Sequence, residues 1–185
     1  CPQVTGTDAR RLLSRSTPQS WPHARLCGTL GMPFVARLSK VALKICSYNI
    51  HKGFSQFNQR MVVHDLRDRL RDLNADLMFL QEVQGMHIGH AKHHPDWPAM
   101  PQHEFLADGV WSQTAYGGNA VHRLGHHGNA VISKLPILVA DNLDVSLTRF
   151  ERRGLLHCVL ELSDHSRLHA ICVHVSLTDS QRRRQ

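Results

Sequence analysis

Leu43-Lys44-Ile45-Cys46-Ser47-Tyr48-Asn49-Ile50 and Asp76-Leu77-Met78-Phe79-Leu80-Gln81-Glu82-Val83 are the two stretches on which the fold turns. The first is mostly apolar and is closed by Gly53, which marks a strand. The second is apolar almost throughout, as strands covered on both faces are. Between them Val62, Leu66, Leu70 and Leu73 recur at helical spacing, with Asp65 and Arg69 four residues apart on the other side. Strand, helix and strand in that order predict a βαβ unit with parallel strands. Its geometry puts Asn49 and Glu82 at the carboxyl ends of neighbouring strands, the edge at which open α/β sheets bind ligands.

Outward from this unit the pattern weakens. Residues 84–116 are rich in His, Pro, Trp and Gly without a clear period, and predict a long surface loop. Four apolar segments follow, at 128–133, 138–147, 155–162 and 168–176, and predict further strands of the same sheet, with a helix starting near Thr178. Residues 1–40 alternate Ser, Thr, Pro, Gly and Arg without a period, as an unstructured basic leader does, which leaves 41–185 as the folded domain.

The chain has 185 residues, 42% of them hydrophobic, enough for one domain with a core. Its net charge of +7 sits mainly at the ends: residues 1–40 hold six basic residues against Asp8 alone, and Arg182-Arg183-Arg184 close the chain. The body is nearly neutral, which argues against a dedicated surface for long duplex DNA. Five widely spaced cysteines without a C-x-x-C pair exclude a disulfide framework and point to a reducing, cytoplasmic setting. No stretch approaches the about 18 apolar residues of a membrane span. No obligate protein partner is indicated.

An Asn amide oxygen and a Glu carboxylate on adjacent strand tips suit a hard divalent cation. Magnesium prefers oxygen ligands, keeps several waters and is held by few carboxylates. By spacing alone, Asn49 also reads as a turn cap and Glu82 as a solvated strand-end charge. His87, His90, His93 and His94 raise the question of zinc, but the stretch contains Gly89 and Pro95 and lacks a Cys or an H-E-x-x-H pattern, so a solvated or substrate-facing loop is the better reading. Trp97, Trp111 and Tyr116 either stack on a substrate or anchor the loop to the core.

Five motifs carry a resemblance. Ser47-Tyr48-Asn49-Ile50-His51-Lys52-Gly53, Leu80-Gln81-Glu82-Val83, Gly128-Asn129-Ala130-Val131-Ile132-Ser133-Lys134-Leu135-Pro136-Ile137, Arg152-Arg153-Gly154 and Val173-His174-Val175-Ser176-Leu177 occur in the order found in the endonuclease/exonuclease/phosphatase superfamily, which the chain resembles over roughly residues 43–178. His51-Lys52-Gly53-Phe54 and Gly125-His126-His127-Gly128-Asn129-Ala130 are similar to an uncharacterised bacterial branch of it. The resemblance implies an α/β (α+β) fold, the N-terminal part of a four-layer α/β/β/α sandwich with a mixed sheet and outer helices. This chain is expected to hold mainly one sheet, its inner face without a partner.

The resemblance also implies a metal-dependent phosphoester hydrolase, whether phosphodiesterase, nuclease or phosphatase, that uses a magnesium-activated water, manganese being an alternative. Glu82 would ligate the metal, Asn49 would share the metal site and help orient the metal-bound phosphate or its water, His174 would assist proton transfer, and Arg153 would contact a phosphate oxygen. Arg152 competes for that last role. His51 and Lys52 fall where relatives touch substrate, while Gly128 and Asn129 are expected to serve a turn. The substrate would carry a phosphate, as a lipid head group, nucleotide or nucleic acid does. The superfamily completes its site with a later G-D-x-N segment and an Asp-His pair; the sequence contains no G-D-x-N, and its one Asp-His pair, Asp164-His165, precedes His174. The domain is on this reading incomplete and this chain by itself inactive. The rival is a non-catalytic fragment that associates with nucleic acid through its basic ends.

Overall fold

A computed structural model of the chain describes residues 42–55, 60–148, 150–176 and 178–185. The expected leader at 1–40 lies outside the described residues. The predicted unit forms β1 (Ile45–Asn49), α1 (Val63–Leu73) and β2 (Leu77–His87), with a single 3-10 turn at His51–Gly53. β1 pairs with β2 in parallel, Ile45 opposite Leu77 through Asn49 opposite Gln81. α2 (Ile88–His93) and α3 (Gln102–Ala107) follow, then the strands β3 (Gln113–His122), β4 (Gly125–Ser133), β5 (Ile137–Asp144), β6 (Gly154–Glu161) and β7 (Arg167–Val173), and a last turn of helix, α4 (Asp179–Arg182).

These strands build two sheets rather than the one expected. A mixed sheet has the order β1-β2-β4-β3, and an antiparallel sheet has the order β5-β6-β7. The all-apolar run of β2 is explained by what covers each of its faces. Met78 and Leu80 pack with Val63, Leu66 and Leu70 of α1 and with Leu106 and Trp111, on the helix side. Leu77 and the partly buried Phe79 point the other way, where with Val131 they meet Leu156, Cys158, Leu160, Ala170 and Cys172 of the second sheet. Period-2 alternation thus feeds two cores from one strand. The inner face of the mixed sheet has its partner.

Three further expectations are corrected. On α1 the buried stripe is Val63, Leu66 and Leu70, while Leu73 is 43% exposed because the helix ends there in a left-handed cap at Asn74. Asp65 pairs with Arg60 at 3.3 Å rather than with Arg69. Residues 84–116 are no loop: β2 continues to His87, two short helices follow, and Trp111 is buried with its indole N–H donating to the Ala75 carbonyl at 2.8 Å. Cys158 and Cys172 are buried thiols, and burial pushes them up to about 12 and about 11. Among the described residues no helix is long and apolar enough to cross a membrane.

Leu160 is fully buried in the core between the sheets. Leu160→Ala is expected to cost about 2–5 kcal/mol in urea denaturation, the range for a buried leucine whose cavity only partly collapses. A loss below about 1 kcal/mol would mean that the two sheets do not share a packed core.

Candidate functional site

Glu82 occupies a break in register. Leu80 pairs with Ala130 and Val83 with Gly128, so Gln81 and Glu82 together face the single residue Asn129. This is a β-bulge, and Glu82 holds a left-handed φ of 54° in it. Strict alternation from Met78 and Leu80 would aim residue 82 into the helix-side core. The extra residue lets Val83 fill that place and turns Glu82 out. Glu82 is therefore not at the carboxyl end of its strand, as expected, but midway along it, just beyond the point where the shorter β1 stops.

Asn49, the last residue of β1, meets it there. Its Nδ2 donates to Glu82 Oε1 at 3.2 Å, while its Oδ1 accepts the His51 backbone N–H at 2.9 Å. The donor requirement of His51 fixes the amide orientation, so the NH2 group faces the carboxylate. Ligation by the Asn49 oxygen of an ion held on Glu82, as expected from sequence, needs the amide turned so that the oxygen rather than the NH2 group faces the carboxylate. His51 Nδ1 lies 3.4 Å from Glu82 Oε2, and His174 Nε2, just past β7, lies 3.9 Å from Glu82 Oε1. Burial by itself would raise the Glu82 pKa, but the Asn49 hydrogen bond and the nearby His174, Lys52 and His51 outweigh it and hold the carboxyl below its usual value. Burial, with the Arg153 charge, lowers His174.

The turn that carries His51 and Lys52 is strained, with φ of 48° and 56° at these two residues and 80° at Gly53. Gln102 of α3 holds it: its Nε2 donates to the Lys52 carbonyl at 2.8 Å, and its Oε1 accepts the Gln84 N–H at 2.8 Å. Gly53 is required here because its φ is left-handed and a Cβ would run into the Gln102 side-chain amide. Gln102 escaped sequence reasoning since nothing marks a buried glutamine in a stretch without period.

Arg153 precedes β6, and its guanidinium reaches Glu151 at 2.7 Å. Arg152 pairs instead with Asp144 at 3.6 Å, so the two neighbours diverge. Arg153, His174 and Glu82 line one small cavity of about 10 Å³ together with Asn119, His127 and Asn129. On two of these residues a buried nitrogen, Arg153 Nε and His127 Nδ1, has no hydrogen-bond partner. Asn129 is not in a turn but inside β4, and its Nδ2 donates to the Gly154 carbonyl at 2.8 Å. His127 was missed, although strand alternation with Asn129 puts both on one face. Asp164-His165 sits in the turn between β6 and β7. Among the described residues there is no group of three or more His, Cys, Asp or Glu that could hold a metal; Glu82 is a lone carboxylate.

Residues 46–169 match the model of the Endonuclease/Exonuclease/phosphatase family. The uncharacterised protein YbhP of Escherichia coli (strain K12) is 45% identical over 145 residues, which cover 78% of this chain and 57% of that protein. The chain thus spans little more than half the length of that relative. In fold it is similar to an endonuclease/exonuclease/phosphatase from Beutenbergia cavernae DSM 12333, at 18% identity and a TM-score of 0.57 over 74% of this chain and 39% of that one. A family protein from Leptotrichia buccalis C-1013-b is similar at 14% identity and a TM-score of 0.54, over 76% of this chain and 58% of that one.

The Asn49–Glu82 bond has a measurable consequence. Asn49→Ala removes one of the groups that lower the Glu82 pKa, so that pKa is expected to rise, read from the side-chain carboxyl carbon by NMR titration. Because the folded-state value lies below the unfolded one, the bond stabilises the fold above the ordinary carboxylate range and ceases to as pH falls through the folded pKa. The stability gap between the parent chain and Asn49→Ala should accordingly shrink on acidification. A Glu82 pKa unmoved by the substitution would contradict the assignment.

Proposed function

We infer the function from membership: this chain belongs to the endonuclease/exonuclease/phosphatase family, whose members are phosphoester hydrolases, and we propose that the residues lining the small cavity beside Glu82 bind the phosphate of such an ester at its open mouth. The single observation that carries this reading is one cavity lined by Arg153, His127 and His174 around Glu82, its one carboxylate. Arg153 Nε and His127 Nδ1 are buried there without hydrogen-bond partners. A guanidinium and imidazole N–H groups are the donors that phosphate oxygens take.

A hard divalent cation fits the donor chemistry, since an ionised carboxylate supplies the oxygen ligand that such an ion prefers. When bound, magnesium or manganese neutralises phosphoryl oxygens and makes water a better nucleophile. Glu82 would hold the ion, and Asn49 and His51 would keep the carboxylate in place. Arg153 and His127 bind the phosphate, and Lys52 adds positive charge from the adjoining turn. Water adds to phosphorus, the ester P–O bond breaks, and the leaving oxygen takes a proton. His174, held neutral, both accepts and donates a proton and is the group proposed to move it. The proposed setting is the cytoplasm, in keeping with five cysteines that show no pairing pattern. The rival reading rests on basic ends, yet at the C-terminal end Asp179 pairs with both Arg182 and Arg183.

Calorimetric titration of the chain with manganese should detect one site that Glu82→Gln weakens at least about tenfold. In a complete family domain carrying these residues, hydrolysis of a chromogenic phosphodiester is expected to need the divalent ion and to fall at least about 100-fold in Glu82→Ala. His174→Ala should cost a further effect of about 10²–10⁴ on its own. Turnover that survives loss of the Glu82 carboxylate would defeat the reading.

A further inference from the structure

A second and larger cavity, of about 360 Å³, opens beside the Glu82 cavity. It is within the range of about 300–1,000 Å³ typical of small-molecule sites. Phe54, His87, His90, His122 and His127 line it together with Lys52. His127 lines both cavities, so a molecule in one is next to the other.

Its wall is a set of packed rings. The Phe54 ring lies 4.9 Å from His90 and stacks at 5.8 Å on Trp97, which in turn sits 4.8 Å from His90. His87 stacks on His90 at 3.6 Å, and its Nδ1 accepts the His90 backbone N–H at 2.9 Å. The wall is thus fixed by backbone and by ring contact rather than by exposed, free side chains. Burial, with the neighbouring imidazoles of His87 and His94, pushes His90 down to about 4. At neutral pH that ring is uncharged and presents a π-face, one N–H donor and one lone pair.

Three classes of ester substituent meet this wall differently. An alkyl chain would cover imidazole nitrogens without giving them partners, which is unfavourable. A highly phosphorylated sugar would find one lining cation, Lys52. A planar heteroaromatic ring stacks on the faces and pairs its edge donors and acceptors with neutral imidazoles, and base–aromatic stacking is worth about 1–3 kcal/mol per base. We propose that this histidine-lined cavity holds the base of a nucleoside phosphoester whose phosphate sits at the mouth of the Glu82 cavity, with Lys52 and His127 at the junction. The substrate class is then a nucleotide, free or at the end of a strand. This rests on the phosphoester reading given above.

The test is equilibrium binding of AMP, ribose 5-phosphate and adenosine to the chain with magnesium present. AMP is expected to bind at least tenfold more tightly than ribose 5-phosphate. That preference should vanish in Phe54→Ala and, separately, in His90→Ala, each checked for an unchanged circular dichroism spectrum, and persist in Glu82→Gln. Equal binding of AMP and ribose 5-phosphate overturns the base site while leaving the phosphate site standing if Glu82→Gln weakens both. Adenosine binding as tightly as AMP overturns the proposal at its other end, in the phosphate reading it rests on. A dinucleotide that outbinds AMP assigns the base to a strand end, and equal binding assigns it to a free nucleotide.

Discussion

The bulge at Glu82 is the constraint on which the rest depends. From Leu77 to Leu80 β2 is sandwiched between helices and a second sheet, so residues in regular alternation there point into one apolar core or the other. A carboxylate cannot be carried by such a strand unless the alternation is interrupted, because an unpaired charge in either core would cost several kcal/mol. One extra residue interrupts it. The phase slips between Leu80 and Val83, Val83 resumes the buried series, and Glu82 turns out toward Asn49. The shortness of β1 is part of the same arrangement: pairing stops at Asn49 opposite Gln81, which leaves the next residue of β2 without a strand beside it.

What was legible in the sequence was whatever a single period could express. The β1–α1–β2 unit follows from apolar spacing, and so do the positions of β4, β5, β6 and β7, whereas β3, interrupted by Gly117 and Gly118, does not. The phase slip does not, since Leu80, Val83 and the residues between them look like one continuous strand until the register with β4 is known. For the same reason Glu82 was expected at a strand end. The division into two sheets was equally hidden, because strands of both sheets have the same composition and only their pairing separates them. Short elements also escape: α2 and α3 have six residues each, too few to establish a helical period, and the buried face of α3 is partly polar, with Gln102 and His103. Pro101, directly ahead of α3, was the available start signal.

Placing the second sheet also changes what the candidate site is. Asn49, Glu82 and His127 belong to the mixed sheet or its edge, whereas Arg153 and His174 flank strands of the antiparallel one. No single sheet could assemble the cavity, so its geometry is set by how the two sheets pack. Asn129 fixes that packing at the point that matters. It is buried in β4 directly opposite the bulge, and its amide donates across the interface to the carbonyl of Gly154, the residue after Arg153, and more weakly at 3.4 Å to that of Cys172, two residues before His174. A slip of one sheet on the other would strip a buried amide of its acceptors. The bonds that satisfy Asn129 therefore also hold the chain on either side of Arg153 and His174 at a set distance from Glu82, and fold stability and site geometry rest on the same contacts.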